Sequence, residues 1–222
     1  MFLKIGHRGA RTYEVENTLK SFEKAIELGA NAIELDVRLS LDRQLIVSHD
    51  DNLKKVYGKD VLISKTTFAE LKQLTENRIT TLEEACSFLG SKVEKILVEL
   101  KEVGYEKAVM EVIREKELYD RVIVISFHEE SLSNIRDLDE RIETGIIYTK
   151  FRKHIDKAVE LKARYLVPLY RFVHRRDVAK AHKNNLKVIV WTINNKEEAV
   201  LYRAKDVDGI ATDKPAIFRR MG

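Results

Sequence analysis

Two acidic residues, Glu34 and Asp36, stand two positions apart in the segment NAIELDVRLS, which otherwise has the composition of a buried β-strand. Side chains alternate between the two faces of a strand, so both carboxylates should point to the same face. The segment KILVELK repeats this arrangement with Glu99 and Lys101. Two strands would therefore each present a pair of charged side chains to one side of a sheet.

Three carboxylates that meet in one place need a positive partner. Like charges about 4 Å apart repel by roughly 4 kcal/mol at an effective dielectric constant near 20, which is a large part of a domain's stability. Lys101 and Arg8 could supply some of the compensating charge. Oxygen ligation by Glu34, Asp36 and Glu99, however, favours a hard divalent ion, Mg²⁺ or Ca²⁺, over metals that prefer thiolate or imidazole. The sequence therefore predicts a site for one divalent cation.

Two histidines, His7 in HRG and His49 in HD, follow further apolar runs. Imidazoles titrate near neutral pH, so beside an ion they are suited to donate and accept protons. Arg8 adds a planar, permanently charged group that suits phosphate oxygens, and Lys101 adds a point charge. Together, these residue types indicate chemistry at a phosphate ester.

These side chains can meet only if their strands end at one place. Apolar runs rich in Val, Ile and Leu recur eight times, and amphipathic stretches with helical spacing separate most of them. Strict alternation indicates parallel strands, and eight units in 222 residues predict a (β/α)8 TIM barrel rather than an open doubly wound sheet. The C-terminal strand ends of such a barrel converge on one mouth. The eight predicted strands are 2–6, 31–37, 95–100, 121–127, 142–148, 164–169, 186–193 and 207–212.

One irregularity follows the second strand. QLIVSHD is a second extended run that could fold back as a hairpin, and the polar segment of about residues 50–66 precedes the next helix. We interpret that segment as a small insertion after the second strand region, on the rim of the barrel. Because no linker or shift in composition divides the chain, we expect residues 1–222 to form a single domain.

The composition excludes several classes of protein. With 44% hydrophobic and 34% charged residues, the chain should be a soluble globular protein. No stretch approaches the roughly 18 to 20 apolar residues of a membrane helix, and the first residues lack a secretory apolar core, so we expect no stable membrane insertion and a cytoplasmic location. The near balance of charges predicts no nucleic-acid partner. The charges of the basic run RFVHRRDVAKAHKNNLK are spaced around an amphipathic helix, which indicates a solvated outer face.

Cys86, at helical spacing in TLEEACSFLG, is expected in the core. The oligomeric state is not predicted.

The motifs HRG, ENT, ELDV, HD, ELK, VWTIN and DGIATDKP occur in the order seen in the glycerophosphodiester phosphodiesterase family, which the chain resembles along nearly its whole length. That family has a (β/α)8 barrel with a small insertion after the second strand region. Its usual reaction releases sn-glycerol 3-phosphate and an alcohol from deacylated glycerophospholipids.

By this resemblance, Glu34, Asp36 and Glu99 correspond to ligands of the cation, and the family's general acid and base correspond to His7 and His49. The resemblance does not settle which histidine is the acid and which is the base. It also implies that Arg8 and Lys101 contact the substrate phosphate. The mechanism that it implies has the glycerol 2-hydroxyl attack phosphorus, after which water opens the cyclic phosphate.

Trp191 closes the seventh predicted strand at the mouth, where it could bind the glycerol side of the substrate or fill the barrel core as an aromatic residue. Two departures from the family pattern concern neighbouring positions. Val15 stands where many members have proline, and we expect Asn17 or Thr18 still to cap the next helix. Lys55 and Val56 stand where the family often has an Arg-Thr pair, which affects recognition of the leaving group.

Three functions remain open at this point. The first is metal-dependent hydrolysis of a small-molecule glycerophosphodiester by His/His acid-base catalysis. The second uses the same site on a lysophospholipid or another phosphodiester. The third is a barrel that binds a phosphorylated ligand without catalysis, and the presence of both histidines argues against it.

Overall fold

The structure is a computed structural model that describes residues 1–149 and 154–220. Within these ranges the chain alternates between strands and helices. The strands are β1 (Leu3–His7), β2 (Ala32–Leu39), β3 (Leu45–Val47), β4 (Lys95–Leu100), β5 (Val122–Ser126), β6 (Glu143–Tyr148), β7 (Tyr165–Pro168), β8 (Lys187–Val190) and β9 (Gly209–Thr212). The α-helices are α1 (Leu19–Glu27), α2 (Lys54–Tyr57), α3 (Phe68–Leu74), α4 (Leu82–Leu89), α5 (Glu106–Glu115), α6 (Glu129–Leu138), α7 (His154–Glu160), α8 (Arg175–Lys183) and α9 (Lys196–Ala204). Short 3₁₀ helices cover Ile63–Lys65, Tyr170–Phe172 and Pro215–Arg220.

Eight of the strands form a closed parallel barrel. The order around the sheet is β1-β9-β8-β7-β6-β5-β4-β2, and β1 pairs with both β9 and β2, which closes the ring. The predicted (β/α)8 TIM barrel is therefore confirmed. Each parallel strand reaches the next through a helical crossover, as this topology requires.

The barrel strands are buried on both faces. One set of apolar side chains fills the interior, and two larger clusters pack between the strands and the outer helices. Gly145 on β6 faces the interior, where an added Cβ would lie 2.9 Å from the Cβ of Tyr165. Glycine is therefore required at that position because any larger residue would clash with the Cβ of Tyr165. The interior set is Leu3, Ile5, Ala32, Leu97, Ile123, Ile125, Ile147, Tyr165, Val167, Ile189 and Ala211.

The strand β3 runs antiparallel to β2, with Val47 opposite Val37 and Leu45 opposite Leu39. The fold-back of QLIVSHD that the sequence predicted is therefore present. The helix that leads from this region to β4 is α4, so the excursion between β2 and α4 covers residues 40–81 rather than 50–66 alone. The difference arises because α3 has its own capping box at Thr67 and resembles a crossover helix in sequence. The excursion has a small core of its own, formed by Ile46, Leu53, Ile63, Leu71 and Ile79.

Among the helices of the described residues, α5 and α6 are the longest, with ten residues each. Over the ranges that the structure describes, none of the helices has both the length and the apolar character needed to cross a membrane.

Candidate active site

The register of the barrel strands brings the three acidic residues together. Asp36 on β2 is the neighbour of Glu99 on β4, and Glu34 is the neighbour of His7 on β1. The carboxylates of Glu34, Asp36 and Glu99 each offer an oxygen, and these oxygens all lie within 4.8 Å of one another. All three side chains are buried. The convergence that period-2 spacing predicted is thus present in the structure.

Two cationic side chains contact this cluster. The ammonium of Lys101 lies 2.6 Å from Glu99 Oε1 and 3.3 Å from Asp36 Oδ1. Nε of Arg8 lies 3.2 Å from Asp36 Oδ2, and its Nη1 donates to Glu16 Oε1 at 2.9 Å. Arg8 and Lys101 therefore contact the acids directly.

The backbone at Arg8 also contacts the acidic cluster. Arg8 has a φ of +54°, and its N–H donates to Glu34 Oε2 at 2.9 Å. Gly9 follows with a φ of +81°, and an added Cβ there would lie 2.6 Å from the backbone carbon of Ser21. The HRG turn is therefore held against α1, and glycine at its third position is a steric requirement.

The pKa values of the acids show that these cations do not fully compensate the cluster. Burial, followed by repulsion from Asp36, raises the pKa of Glu99 to about 7. Burial and repulsion from Asp36 and Glu99 also raise the pKa of Glu34 well above its usual value. Burial opposes ionisation of Asp36 as well, but Arg8 and Lys101 overcome it and lower the pKa of Asp36 to about 2.

The cluster fits a divalent cation. Its donors are carboxylate oxygens, the ligands that Mg²⁺ and Ca²⁺ prefer. Oδ1 of Asp36 is buried and accepts no hydrogen bond, although Lys101 lies nearby. A buried carboxylate oxygen without a hydrogen-bond donor is costly, and a metal ion would satisfy it. Residues Glu34, Asp36 and Glu99 could therefore hold the ion.

Asn17 and Thr18 have separate roles. Thr18 caps α1, because its hydroxyl accepts from the N–H of Ser21 at 3.2 Å. Asn17 instead has a φ of +59° and donates from Nδ2 to Asp36 Oδ2 at 2.9 Å. The ENT segment thus both starts a helix and orients one acid of the cluster.

His7 is hydrogen-bonded to the residue that follows the last barrel strand, β9. Its Nδ1 donates to Asp213 Oδ1 at 2.7 Å, and Asn194 Nδ2 donates to the other oxygen of Asp213 at 2.8 Å. These bonds leave Nε2 of His7 on the side of the acids, 3.9 Å from Glu34 Oε2. An aspartate at Nδ1 places the proton there in the neutral ring, so Nε2 is free to accept a proton.

His49 is positioned in a similar way on the excursion. Its Nδ1 donates to Asp50 Oδ1 at 2.7 Å, and its backbone carbonyl accepts from Arg38 Nε at 2.8 Å. Arg38 also pairs with Glu102 in the loop after β4. Burial, assisted by Arg8 and Lys101, lowers the pKa of His49, which favours its neutral form.

Two of the acids, Glu34 and Glu99, line a cavity of about 170 Å³ at the C-terminal mouth of the barrel, together with both histidines, Arg8 and Lys101. Asp36 is fully buried beside them. Trp191 lines it from the end of β8, so it lies at the mouth and also packs against the interior cluster. Its indole N–H donates to the carbonyl of Val167 at 2.8 Å. Both alternatives that the sequence allowed for Trp191 are thus compatible with its position. All eight predicted site residues are close to this mouth.

Sequence reasoning gave no role to some residues of the site. Arg38 continues the period-2 series of Glu34 and Asp36, which could have placed it on the same face. Asp213 has the correct position after the last strand, but only the three-dimensional contact reveals its bond to His7. Phe127 also lines the cavity, and its position at a strand end carried no chemical signal.

Comparison with known proteins identifies relatives over almost the full length. A sequence model of the glycerophosphoryl diester phosphodiesterase family matches residues 7–217. A glycerophosphodiester phosphodiesterase of Caldanaerobacter subterraneus subsp. tengcongensis is 31% identical over 229 residues, which cover 96% of this chain and 94% of that protein.

Two solved structures share the fold. One is a glycerophosphodiester phosphodiesterase from Thermotoga maritima, with a TM-score of 0.87 and 31% identity, and the match covers 100% of this chain and 99% of that one. The other is a phosphodiesterase from Oleispira antarctica in complex with the product sn-glycerol-3-phosphate. Its TM-score is 0.90 and its identity 28%, with 98% of this chain and 95% of that one covered.

Proposed function

This chain belongs to the glycerophosphoryl diester phosphodiesterase family, and we propose that it hydrolyses glycerophosphodiesters to sn-glycerol 3-phosphate and an alcohol. The observation that carries the proposal is the cluster of three buried carboxylates with an imidazole Nε2 available from His7 and from His49. The relative from Oleispira antarctica, in complex with sn-glycerol-3-phosphate, supports the product.

We propose that the activity depends on a divalent cation, Mg²⁺ or Ca²⁺, held by Glu34, Asp36 and Glu99. Such an ion would act as a Lewis acid toward a phosphate oxygen and stabilise negative charge in the transition state. The burial of these acids and the raised pKa of Glu99 support the assignment, because the protein alone does not stabilise all three carboxylates in ionised form.

His7 and His49 are the proton-transfer residues in this proposal. One Nε2 accepts the proton of the glycerol 2-hydroxyl as its oxygen forms a bond to phosphorus. The other, as an imidazolium, donates its Nε2 proton to the alcohol oxygen as the bond from that oxygen to phosphorus breaks. Water then opens the cyclic phosphate while the two imidazoles exchange roles. Asp213 and Asp50 keep the two rings oriented by holding Nδ1.

Arg8 and Lys101 would contribute positive charge at the phosphate. Both are fixed before substrate arrives, Arg8 by Asp36 and Glu16, and Lys101 by Glu99. Fixed charges need little reorganisation during the reaction, which makes them effective at stabilising developing charge. We further expect residues 1–222 to act as one domain and the protein to reside in the cytoplasm.

A coupled assay tests the proposal. The purified protein is incubated with glycerophosphocholine, glycerophosphoethanolamine and glycerophosphoglycerol, and glycerol 3-phosphate is measured with Mg²⁺ or Ca²⁺ and with a chelator. We expect release with the ion and loss of release with the chelator. No release from any of the three diesters in the presence of either ion would reject the proposed function.

Two substitutions sharpen this test. His7→Ala and His49→Ala should each abolish turnover and leave the fold intact, because each removes a proton-transfer group. His182→Gln is a suitable control: His182 bonds Asp208 at the opposite end of the barrel, and the glutamine amide can still donate there. Near-normal rates in either alanine variant would contradict the roles given to the histidines.

A further inference from the structure

The cavity at the mouth is divided into two chemically different halves. Strands β1, β2 and β4, together with the segment after β3, contribute the charged side, whereas β5 to β8 contribute an apolar wall. The charged side consists of His7, Arg8, Glu34, His49, Glu99 and Lys101. The apolar wall consists of Ile125, Phe127, Ile147, Val167, Ile189 and Trp191.

Two aromatic rings form the outer part of the apolar wall. The ring centroids of Phe127 and Trp191 are 6.1 Å apart, and the ring planes meet at 86°. The bond from the Trp191 indole to Val167 fixes the orientation of the larger ring. Phe127 stands at the end of β5 and is 45% exposed, so its ring remains available to a ligand in the cavity.

We propose that Phe127 and Trp191 form a subsite for the leaving alcohol and that this subsite selects an alcohol with a quaternary ammonium group, such as choline. The inference rests on the proposed function, because it concerns the second half of the same diester. It assigns the aromatic pair to the leaving group rather than to the glycerol.

Hydrogen-bonding requirements distinguish this group from other head groups. A primary ammonium or a hydroxyl needs acceptors when it leaves water, and an unsatisfied polar group costs free energy. Among the described residues that line the wall, every side chain is aliphatic or aromatic, and the one polar atom, the indole N–H, already donates to Val167. A trimethylammonium group has no N–H to satisfy, and its diffuse charge is attracted to aromatic rings.

The size of the cavity favours a small group. Its volume of about 170 Å³ lies below the range of roughly 300–1,000 Å³ in which pockets bury drug-sized ligands. A long acyl chain would therefore extend beyond the cavity, whereas a compact head group fits the wall.

Substrate kinetics test the inference. We expect kcat/KM for glycerophosphocholine to exceed that for glycerophosphoethanolamine by about tenfold, because the ammonium N–H groups of ethanolamine would lose their hydrogen bonds to water at the apolar wall. The neutral 3,3-dimethylbutyl diester has the same shape as the choline diester, and we expect it to be cleaved less efficiently.

Phe127→Leu should lower kcat/KM for the choline diester by about tenfold, mainly by raising KM. The same substitution should change kcat/KM for the ethanolamine diester little.

Phe172→Leu is the matched control, because Phe172 is also exposed, at 48%, but does not line the cavity. We expect it to keep the wild-type preference. Equal wild-type efficiency on the choline and ethanolamine diesters, or equal losses on both in Phe127→Leu, would overturn the subsite without affecting the proposed function.

A binding measurement makes the test independent of turnover. Trp191 is the only tryptophan in the sequence, so its fluorescence reports on this subsite alone. Titration with choline chloride should change the emission in a saturable way, and the response should weaken in Phe127→Leu. Absence of a response to choline would overturn the inference, whether or not any diester is hydrolysed.

Discussion

At the scale of single residues, the most informative feature is that the three carboxylates carry more negative charge than the neighbouring cationic side chains neutralise. Arg8 and Lys101 contact the cluster, yet burial and mutual repulsion still raise the pKa values of Glu34 and Glu99. The protein thus holds a preorganised set of carboxylates that favours a partner with more positive charge than either side chain offers. Ion binding and proton binding at these acids should therefore compete.

This competition predicts how pH affects stabilisation by the ion. The pKa of Glu99 is about 7 in the folded protein and 4.5 in its reference state, so the folded state binds more protons between these values. Without ion, the protein should lose stability as pH rises through this window. We expect Mg²⁺ or Ca²⁺ to raise the Tm more at about pH 8 than at about pH 5.5, as measured by thermal unfolding with ion and with chelator.

The variant Glu34→Gln serves as the control for this prediction. It keeps the size of the side chain and removes one ionised ligand, so the increase in Tm caused by the ion should be smaller. An increase of the same size at both pH values in the wild type would be inconsistent with competition between ion and protons.

Asp213 permits a second prediction at this scale. In Asp213→Asn the amide can donate to Nδ1 of His7 and so favours the ring form with its proton on Nε2, which cannot accept a proton there. We expect kcat for the glycerophosphodiester to fall by about 100-fold or more with a smaller change in KM. Steady-state kinetics measure this.

Asp60→Asn is the matched control, because Asp60 is exposed on the excursion, where it bonds Asn52 and Lys54. It should keep normal kinetics. A normal kcat in Asp213→Asn would show that the bond to His7 does not serve proton transfer.

The residues that sequence reasoning identified share a property: their chemistry is visible from residue type and strand period. Glu34, Asp36 and Glu99 meet because β2 and β4 are neighbours, which the barrel hypothesis already implied. The role of Asp213 was not accessible in this way, since its bond to His7 joins positions 206 residues apart. Such contacts depend on the conformation of loops, which cannot be predicted from the alternation of residues along a strand.

At the scale of elements, the β2–β3 hairpin is the unusual part of the active-site scaffold. His49 is carried by the segment after an antiparallel strand, outside the eight strands of the barrel. Its position therefore depends on links between the excursion and the barrel. Arg38 provides one of them, because it contacts both the His49 carbonyl and Glu102.

Arg38→Ala should displace His49. A hydrogen bond from a charged donor contributes about 1.5–3 kcal/mol, and its loss frees the loop that carries the imidazole. We expect kcat to decrease by about tenfold or more, with the barrel still folded, as judged by steady-state kinetics and circular dichroism.

Glu102→Gln separates the two contacts of Arg38. It removes the ion pair but leaves the bond from Arg38 to the His49 carbonyl, so activity should remain close to normal. If Glu102→Gln and Arg38→Ala reduced kcat equally, the bond to His49 would not be the contact that matters.

The sequence predicted the strands of this region better than its helices. The alternation of apolar and charged residues in β2 and the apolar run of β3 are clear signals, whereas α3 and α4 both begin with a capping box and both follow the hairpin. Local signals therefore do not indicate which helix makes the crossover to β4. Packing decides it: Leu71 of α3 belongs to the small core of the excursion, while Leu82, Ala85, Cys86 and Leu89 of α4 belong to the main core.

At the scale of the whole molecule, Cys86 reports on the integrity of the barrel. It lies on α4, is 1% exposed, and burial raises the pKa of its thiol to about 12. The sequence prediction that this residue belongs to the core is confirmed. A thiol that is both buried and protonated should react only after the structure opens.

We therefore expect Cys86 to resist a thiol reagent at about pH 8 in the native protein and to react fully in denaturant. Because the chain has one cysteine, the signal is unambiguous. The dependence of the reaction rate on urea should match the slope of global unfolding measured by circular dichroism. Rapid modification without denaturant would show that α4 opens locally.

The division of the mouth between charged and apolar strands has a consequence for how such an enzyme can diversify. Substitutions at the ends of β5 to β8 change what the wall accepts, while the acids and histidines are supplied by other segments. Substitutions in the wall can therefore change which substrates are accepted while the acids and histidines that carry out hydrolysis stay the same. Laboratory evolution toward other leaving groups should concentrate its library on those strand ends.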